Sequence, residues 1–344
     1  MILRHKSSPR HTSALTGAAA AAPVSTVPTW MRRAVPDPQS LAGKDIEDMA
    51  LVAGAAIGAL DAVVRRQERW SGAWRQRLAL VAAAVTAKQA GRVEDERALR
   101  DTFVFSGPGD CLSESTTLGP AGLFLLAWRR LATWPAVELL TKKNLAAVLE
   151  EFGYAPDDAV VSDLADDLQQ LSASPGTVGI LTGAFMTAER HGFGRAVGAW
   201  LADALLAQRL GWSHALPLLG IELALGTSAR PRRSTGSSVA TNVEIGSESV
   251  KSLLAAQART ALRAIDLSTE LGRRAEKLLA IAPKLRARGA DAVVERLLSG
   301  DAMVASDNVG GMSDRGLRRL FDRLVDLGAV RELTGRTAFR IYGL

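Results

Sequence analysis

Residues Ser313 to Leu344 read SDRGLRRLFDRLVDLGAVRELTGRTAFRIYGL, and two kinds of periodicity meet in this stretch. Leu317, Leu320, Phe321, Leu324 and Leu327 recur at three- and four-residue steps, the spacing that lines up side chains on one face of an α-helix. Ser313 is placed to cap that helix, Asp314 suits its electropositive first turn, and Gly328 supplies the left-handed stop. Beyond the glycine the period changes. AVREL and TAFRIY flank a turn containing Gly335, and Phe339 and Ile341 alternate with Arg340 and Tyr342 as in a half-buried strand. A two-stranded ribbon is marginal in water by itself, so this one must lean on helices.

Everything before it points to helices. Asp45 to Arg66 carries small and apolar residues at helical spacing, and a second helix runs from near Gly72 to Gly91 with Trp74, Leu78, Val81 and Val85 able to share a face. GRVEDERALRDTFVFS adds a third, which the turn Gly107 to Cys111 breaks. Leu118 to Trp134 opens with Pro120 near its first turn and stops before Pro135. Weaker helical stretches follow, then Arg195 to Trp212. Residues 226–247 are rich in Ser, Thr and Gly without periodicity, which predicts a linker or long loop. A long amphipathic helix then starts at Ser249 and ends or kinks at Pro283, and ADAVVERLL and a short strand AMV precede the closing stretch. The expected organisation is a disordered basic leader over 1–40, a helical domain over 41–225, the linker, and a second folded part over 248–344.

Composition narrows the function classes. Of 344 residues 47% are apolar and only 5% aromatic, with Ala and Leu dominant, a balance suited to a helical core. The single Cys111 rules out an internal disulfide, and His5, His11, His191 and His214 have no zinc-type spacing, which together fit a reducing cytoplasm. No apolar run reaches the roughly 20 residues a membrane helix requires. The alanine-rich start, broken by Pro23 and Pro28, is read as a disordered tail rather than a cleaved signal. The net charge of +6 is unevenly spread: residues 41–225 hold 17 basic and 22 acidic residues, whereas 251–344 hold 17 and 11. Only the C-terminal part would be drawn to phosphate.

Three constellations are candidate sites. Arg315, Arg318 and Arg319 stand in the N-terminal half of the helix, Arg315 and Arg319 pointing directly away from the apolar stripe, and with Arg336 at the ribbon tip and Arg340 could meet DNA phosphates. Asp322 and Asp326 share that face farther along, and Arg319 and Arg323 are ready to pair with them at i,i+3. Arg75, Arg77, Arg92, Glu94, Asp95, Glu96, Arg97, Arg100 and Asp101 crowd one helix pair. A metal-dependent enzyme could use the acids from Glu94 to Asp101, but the ExxE and ExxD spacing of helical pyrophosphate hydrolases is absent, and a salt-bridge network between helices fits better. Asp110, Cys111, Ser113 and Ser115 form a turn with no neighbouring histidine, which fits a loop better than a nucleophile. The tryptophans Trp70, Trp74, Trp128, Trp134, Trp200 and Trp212 read as packing anchors. No GxGxxG or Walker-type loop is present, so no cofactor is expected.

The order helix, short strand, helix, ribbon over ADAVVERLL, AMV and the closing stretch resembles a winged helix-turn-helix. The resemblance implies that the helix before the wing enters the major groove through its N-terminal half, making Arg315, Arg318 and Arg319 the readers and Arg336 and Arg340 phosphate contacts. VASDNVGGM departs from it, being too short and glycine-rich for the expected middle helix. LVDLGAVRELTGRTAFRIY is similar to the terminal segment of bacterial Fic-type proteins, but the signature HxFx(D/E)GNGRxxR is missing and AMP transfer does not carry over. GAWRQRLAL, AGRVEDERALRD, GPAGLFLLAWRRLA, WLADALLAQRLGW, RRAEKLLAIAPKLRARGA and the closing stretch, in that order from about Asp45 to Leu344, together resemble the bacterial family called domain of unknown function 1403. That family implies no activity. The expected fold is mainly α, a multi-helix array with a C-terminal winged-helix-like module carrying a short β-ribbon. The expected role is a non-enzymatic, cytoplasmic DNA-binding regulator or accessory factor partnered by double-stranded DNA; a protein-binding scaffold without nucleic-acid contact is the alternative.

Overall fold

The structure, a computed structural model, describes residues 27–41, 43–105, 115–222, 239–307, 309–335 and 339–344. Among them run twelve α-helices: α1 (Thr29–Ala34), α2 (Ile46–Arg65), α3 (Ser71–Gln89), α4 (Glu96–Phe105), α5 (Ser115–Thr133), α6 (Lys142–Glu151), α7 (Asp158–Ser172), α8 (Thr177–Arg190), α9 (Arg195–Leu210), α10 (Val239–Ile281), α11 (Ala290–Ser299) and α12 (Asp314–Asp326). Three short strands, β1 (Met303–Val304), β2 (Arg331–Glu332) and β3 (Ile341–Gly343), form an antiparallel sheet in the order β1-β3-β2. Met303 faces Tyr342 in the register, and Glu332 faces Tyr342 from the other side. The chain is mainly helical with a small C-terminal sheet, as its periodicity predicts.

Three helix pairs make the most extensive contacts: α8 on α9, α3 on α5, and α10 on α2. The tryptophans tie these pairs to one another. The indole N–H of Trp74 on α3 donates to the Ala264 carbonyl on α10 at 2.9 Å, Trp128 on α5 donates to Thr86 Oγ1 on α3 at 2.9 Å, and Trp200 on α9 donates to the Ala127 carbonyl at 2.9 Å. Trp212 reaches Asp61 Oδ1 on α2 at 2.8 Å. Each ring buries a large apolar area and satisfies its one polar atom across an element boundary, which fixes helix register as well as distance.

The loop after α9 is held from inside. Asp203 on α9 is 1% exposed and its carboxylate accepts from Leu219 N at 3.0 Å and Gly220 N at 3.4 Å. Burial raises its pKa well above the carboxylate range, against the opposing pull of those backbone donors. The turn so anchored sets Gly220 against the face of Trp128: a Cβ there would lie 2.3 Å from a ring carbon. Gly220→Ala is expected to destabilise by about 1–3 kcal/mol through overpacking, read as a lower urea midpoint by circular dichroism. An unchanged midpoint would mean the indole can move aside.

Four expectations need correction. Folded structure begins ahead of residue 41: Val27 and Met31 are each 4% exposed, and Arg32 pairs with Asp266 on α10 at 2.6 Å, because apolar side chains in the leader find the core. Residues 1–26 lie outside the described ones. Helix α10 begins at Val239, inside the expected linker, since extending a helix already packed along α2 adds one hydrogen bond per residue fixed; 223–238 are outside the description. The expected division between 41–225 and 248–344 crosses one continuous core, in which Leu254, Ala258, Leu262 and Ile265 join residues of α2 and α3. Leu327, expected in the apolar stripe of α12, is 48% exposed, because the helix ends there.

Candidate nucleic-acid interface

The C-terminal module is built around α12. Ser313 Oγ accepts from Gly316 N at 3.3 Å, which satisfies one of the four free N–H groups of the first turn. Leu317, Leu320, Phe321 and Leu324 are buried, and the helix stops at Gly328 (φ 65°), where Ala329 N returns to the Leu324 carbonyl at 3.0 Å. The ribbon leans on this helix through Tyr342, whose ring stacks on Phe321 at 4.3 Å between centroids. Burial of that apolar face turns the rest of α12 outward.

Arg315, Arg318 and Arg319 are all exposed there. None makes a hydrogen bond or ion pair to a described residue. Asp322 does not pair with Arg319 as its i,i+3 spacing predicts; it lies 3.7 Å from Arg340 of the ribbon, which also approaches Glu332 at 3.6 Å. Arg340 is therefore engaged within the module, its pKa raised by a hydrogen bond to the Tyr342 hydroxyl and by the neighbouring carboxylates. Arg336 lies outside the described residues.

A second basic segment joins the first through a contact that sequence spacing does not reveal. Gly289 and Gly310 meet backbone to backbone: a Cβ on Gly310 would fall 2.8 Å from the Gly289 Cα, and a Cβ on Gly289 2.5 Å from the Gly310 carbonyl oxygen. Both have left-handed φ, at 86° and 61°, and only glycine combines that conformation with so close an approach. The crossing brings Gly289, at the end of the segment holding Lys284, Arg286 and Arg288, against Met312, two residues ahead of α12. All three cations are exposed and, among the described residues, unpaired. Asp291 and Asp314 are the exposed acids nearby in the chain. The run PKLRARG was the available signal, but its distance from Ser313 in the chain concealed the juxtaposition.

The arginine and acid cluster of the first helices has another purpose. Asp95 caps α4, accepting from Ala98 N at 2.8 Å. Arg77 and Arg100 do not pair with the nearby acids. Both bind Asp301, just ahead of β1: Arg100 Nε is 2.8 Å from Oδ2, Arg77 Nε contacts Oδ1, and Arg77 Nη2 lies 3.4 Å from the Asp301 carbonyl. The expected network between helices is thus a clamp that fastens the C-terminal module to α3 and α4. Among the described residues no group of three or more His, Cys, Asp or Glu is placed to hold a metal ion, and no helix is long and apolar enough to cross a membrane. Asp110, Cys111 and Ser113 lie outside the described residues.

No curated protein matches this sequence. Residues 17–344 match the family described as Protein of unknown function (DUF1403), and the chain belongs to it.

Proposed function

We propose that this member of the family binds duplex DNA through its C-terminal module, a winged helix-turn-helix in outline. The observation that carries the reading is a set of six exposed cations free of partners among the described residues: Arg315, Arg318 and Arg319 on the first turns of α12, and Lys284, Arg286 and Arg288 in the segment whose Gly289 packs against Met312. Exposed guanidinium groups without carboxylates are available for phosphate oxygens, and gathered charge of one sign raises the local concentration of a polyanion. The order α11, β1, α12, β2, β3, with β1 paired to the far strand of the ribbon, supports the winged-helix outline. Turns occupy the described part of Ala305–Met312, where that fold has its middle helix. Contact is accordingly assigned to the N-terminal half of α12 and to the loop beside it, and Arg340 stiffens the ribbon.

The far half of α12 favours a protein partner instead, since Val325 (36% exposed) and Leu327 stand there beside Asp326. Fluorescence anisotropy with a random-sequence duplex separates the two readings. Four phosphate contacts predict a log–log salt slope of about −3.6 and about hundredfold weaker binding at 200 than at 50 mM salt. Arg315→Ala, Arg318→Ala and Arg319→Ala combined are expected to flatten the slope by about 0.9 per lost contact. No binding at low salt, or binding indifferent to these changes, defeats the DNA reading and leaves the scaffold.

A further inference from the structure

Away from the basic end, α3 carries a part-buried arginine whose charge no neighbouring acid pairs among the described residues. The Arg75 guanidinium is part-buried, and its one hydrogen bond among the described residues runs from Nε to the Ala132 carbonyl oxygen at 2.8 Å. It has no carboxylate partner there. A cation drawn partly out of water gains from a counter-charge, and here one neutral acceptor takes one of five donors while the other guanidinium nitrogens stay accessible.

The guanidinium lines a cavity of about 330 Å³, within the range of small-molecule sites. Ser213 and His214 line it from the loop after α9, with Ser213 Oγ 3.0 Å from His214 Nδ1. That loop is pinned beside Arg75's own acceptor: Ala136 N donates to the Ser213 carbonyl at 2.9 Å, and His214 bridges Pro135. Gln67, Ser71 and Ser299 add to the polar lining, and Gly72 seats the end of α11, a Cβ there falling 2.6 Å from the Ser299 carbonyl. Glu68 and Arg69 also line the cavity. Glu68 makes no ion pair with Arg75, and Arg69 is bound to Glu295.

We infer that this cavity binds a small organic anion through a carboxylate or phosphate group, with Arg75 as counter-charge and Ser213 and His214 as further polar contacts. An oxyanion accepts the fork of donors that Arg75 leaves unused, as carboxylates and phosphates do at planar guanidinium groups. Burial, and then the charge of Arg75, depress the His214 pKa. An anion set between the two would cancel the second influence, so the His214 ring reports occupancy. The site is separate from the proposed DNA surface and stands without it.

The test titrates the full chain with inorganic phosphate and with succinate against chloride at matched ionic strength. Thermal midpoint and the His214 ring proton resonances are followed at constant pH. At least one of the two anions is expected to produce a saturable rise in midpoint and a saturable His214 shift that chloride does not, and the one that does identifies the head group. Arg75→Gln is expected to weaken that response at least tenfold, while Arg315→Ala, Arg318→Ala and Arg319→Ala combined leave it intact. If Arg75→Gln does not fold, Ser213→Ala takes its place, with a several-fold weaker response expected and an unchanged one counting against the site. No saturable response to either anion, or the same response without Arg75, overturns the inference.

Discussion

Asp301→Asn is expected to destabilise the protein by about 3–5 kcal/mol, because removing one partner of a buried ion cluster strands the others. The Asp301 side chain is 0% exposed, and Arg77 and Arg100, which hold it, are 12% and 9% exposed. Burial pushes its carboxyl upward, but Arg77, Arg100 and Arg129 together outweigh that and keep it below its ordinary value. Asn retains the shape and one acceptor oxygen without the charge, so at least two buried guanidinium groups lose their counter-charge. Since the folded pKa lies below the unfolded one, this stabilisation is present above the unfolded pKa, near 3.8, and is lost as pH falls through the folded value. The gap between wild type and Asp301→Asn in urea midpoint should therefore be wide at about pH 7 and narrow under acid. Equal midpoints at neutral pH would refute the clamp. Adding Arg77→Met and Arg100→Leu to Asp301→Leu should restore much of the loss, since apolar side chains of similar volume can replace a buried ionic cluster. Because Asp301 lies two residues ahead of Met303, where β1 begins, the single substitution should also loosen the module and weaken whatever it binds.

The second large effect is expected at Trp128, whose replacement by Ala should cost about 3–5 kcal/mol. Its ring is 0% exposed and packs edge-on to Phe152, with centroids 5.9 Å apart, and against Gly220. Its N–H holds Thr86 on α3, so the substitution opens a cavity and also removes a donor from a buried hydroxyl that itself donates to the Ala82 carbonyl at 2.9 Å. Trp128→Phe keeps much of the volume and should lose less. The two variants, compared by urea unfolding, apportion the cost between cavity and hydrogen bond; equal losses would show that the hydrogen bond, not the volume, is what matters. Gly220→Ala in the Trp128→Phe background should be milder than in wild type, because the clashing ring atoms are gone and the two sites share one contact.

Helix α12 shows how far local pattern reaches. Its apolar spacing, Ser313 cap and Gly328 stop were legible residue by residue, because cap chemistry and a 3.6-residue period act within one turn of the chain. The pairing of Asp322 was not legible: i,i+3 geometry offered Arg319, but the ribbon folds Arg340 onto the same carboxylate. Arg77 and Arg100 failed the same way, since their nearest acids in the chain are their neighbours, whereas Asp301 is more than 200 positions away from each of them and wholly buried. A buried ion pair gains most where water is absent, and sequence distance says nothing about that.

Composition and periodicity by themselves determined a mainly helical chain, a helix followed by a ribbon at its end, and a surplus of positive charge in residues 251–344 against an acidic 41–225. These are properties of segments, set by propensity, by which face is apolar, and by counting. Tertiary structure alone decided that the segment holding Lys284, Arg286 and Arg288 packs through Gly289 against Gly310 and Met312, that Asp301 locks the module to α3 and α4, and that Arg75 lines a cavity with no carboxylate paired to it among the described residues. Each of these depends on two distant segments meeting, at Gly289 against Gly310 or Gly72 against Ser299, and such meetings are set by close packing of the whole core rather than by any stretch of sequence.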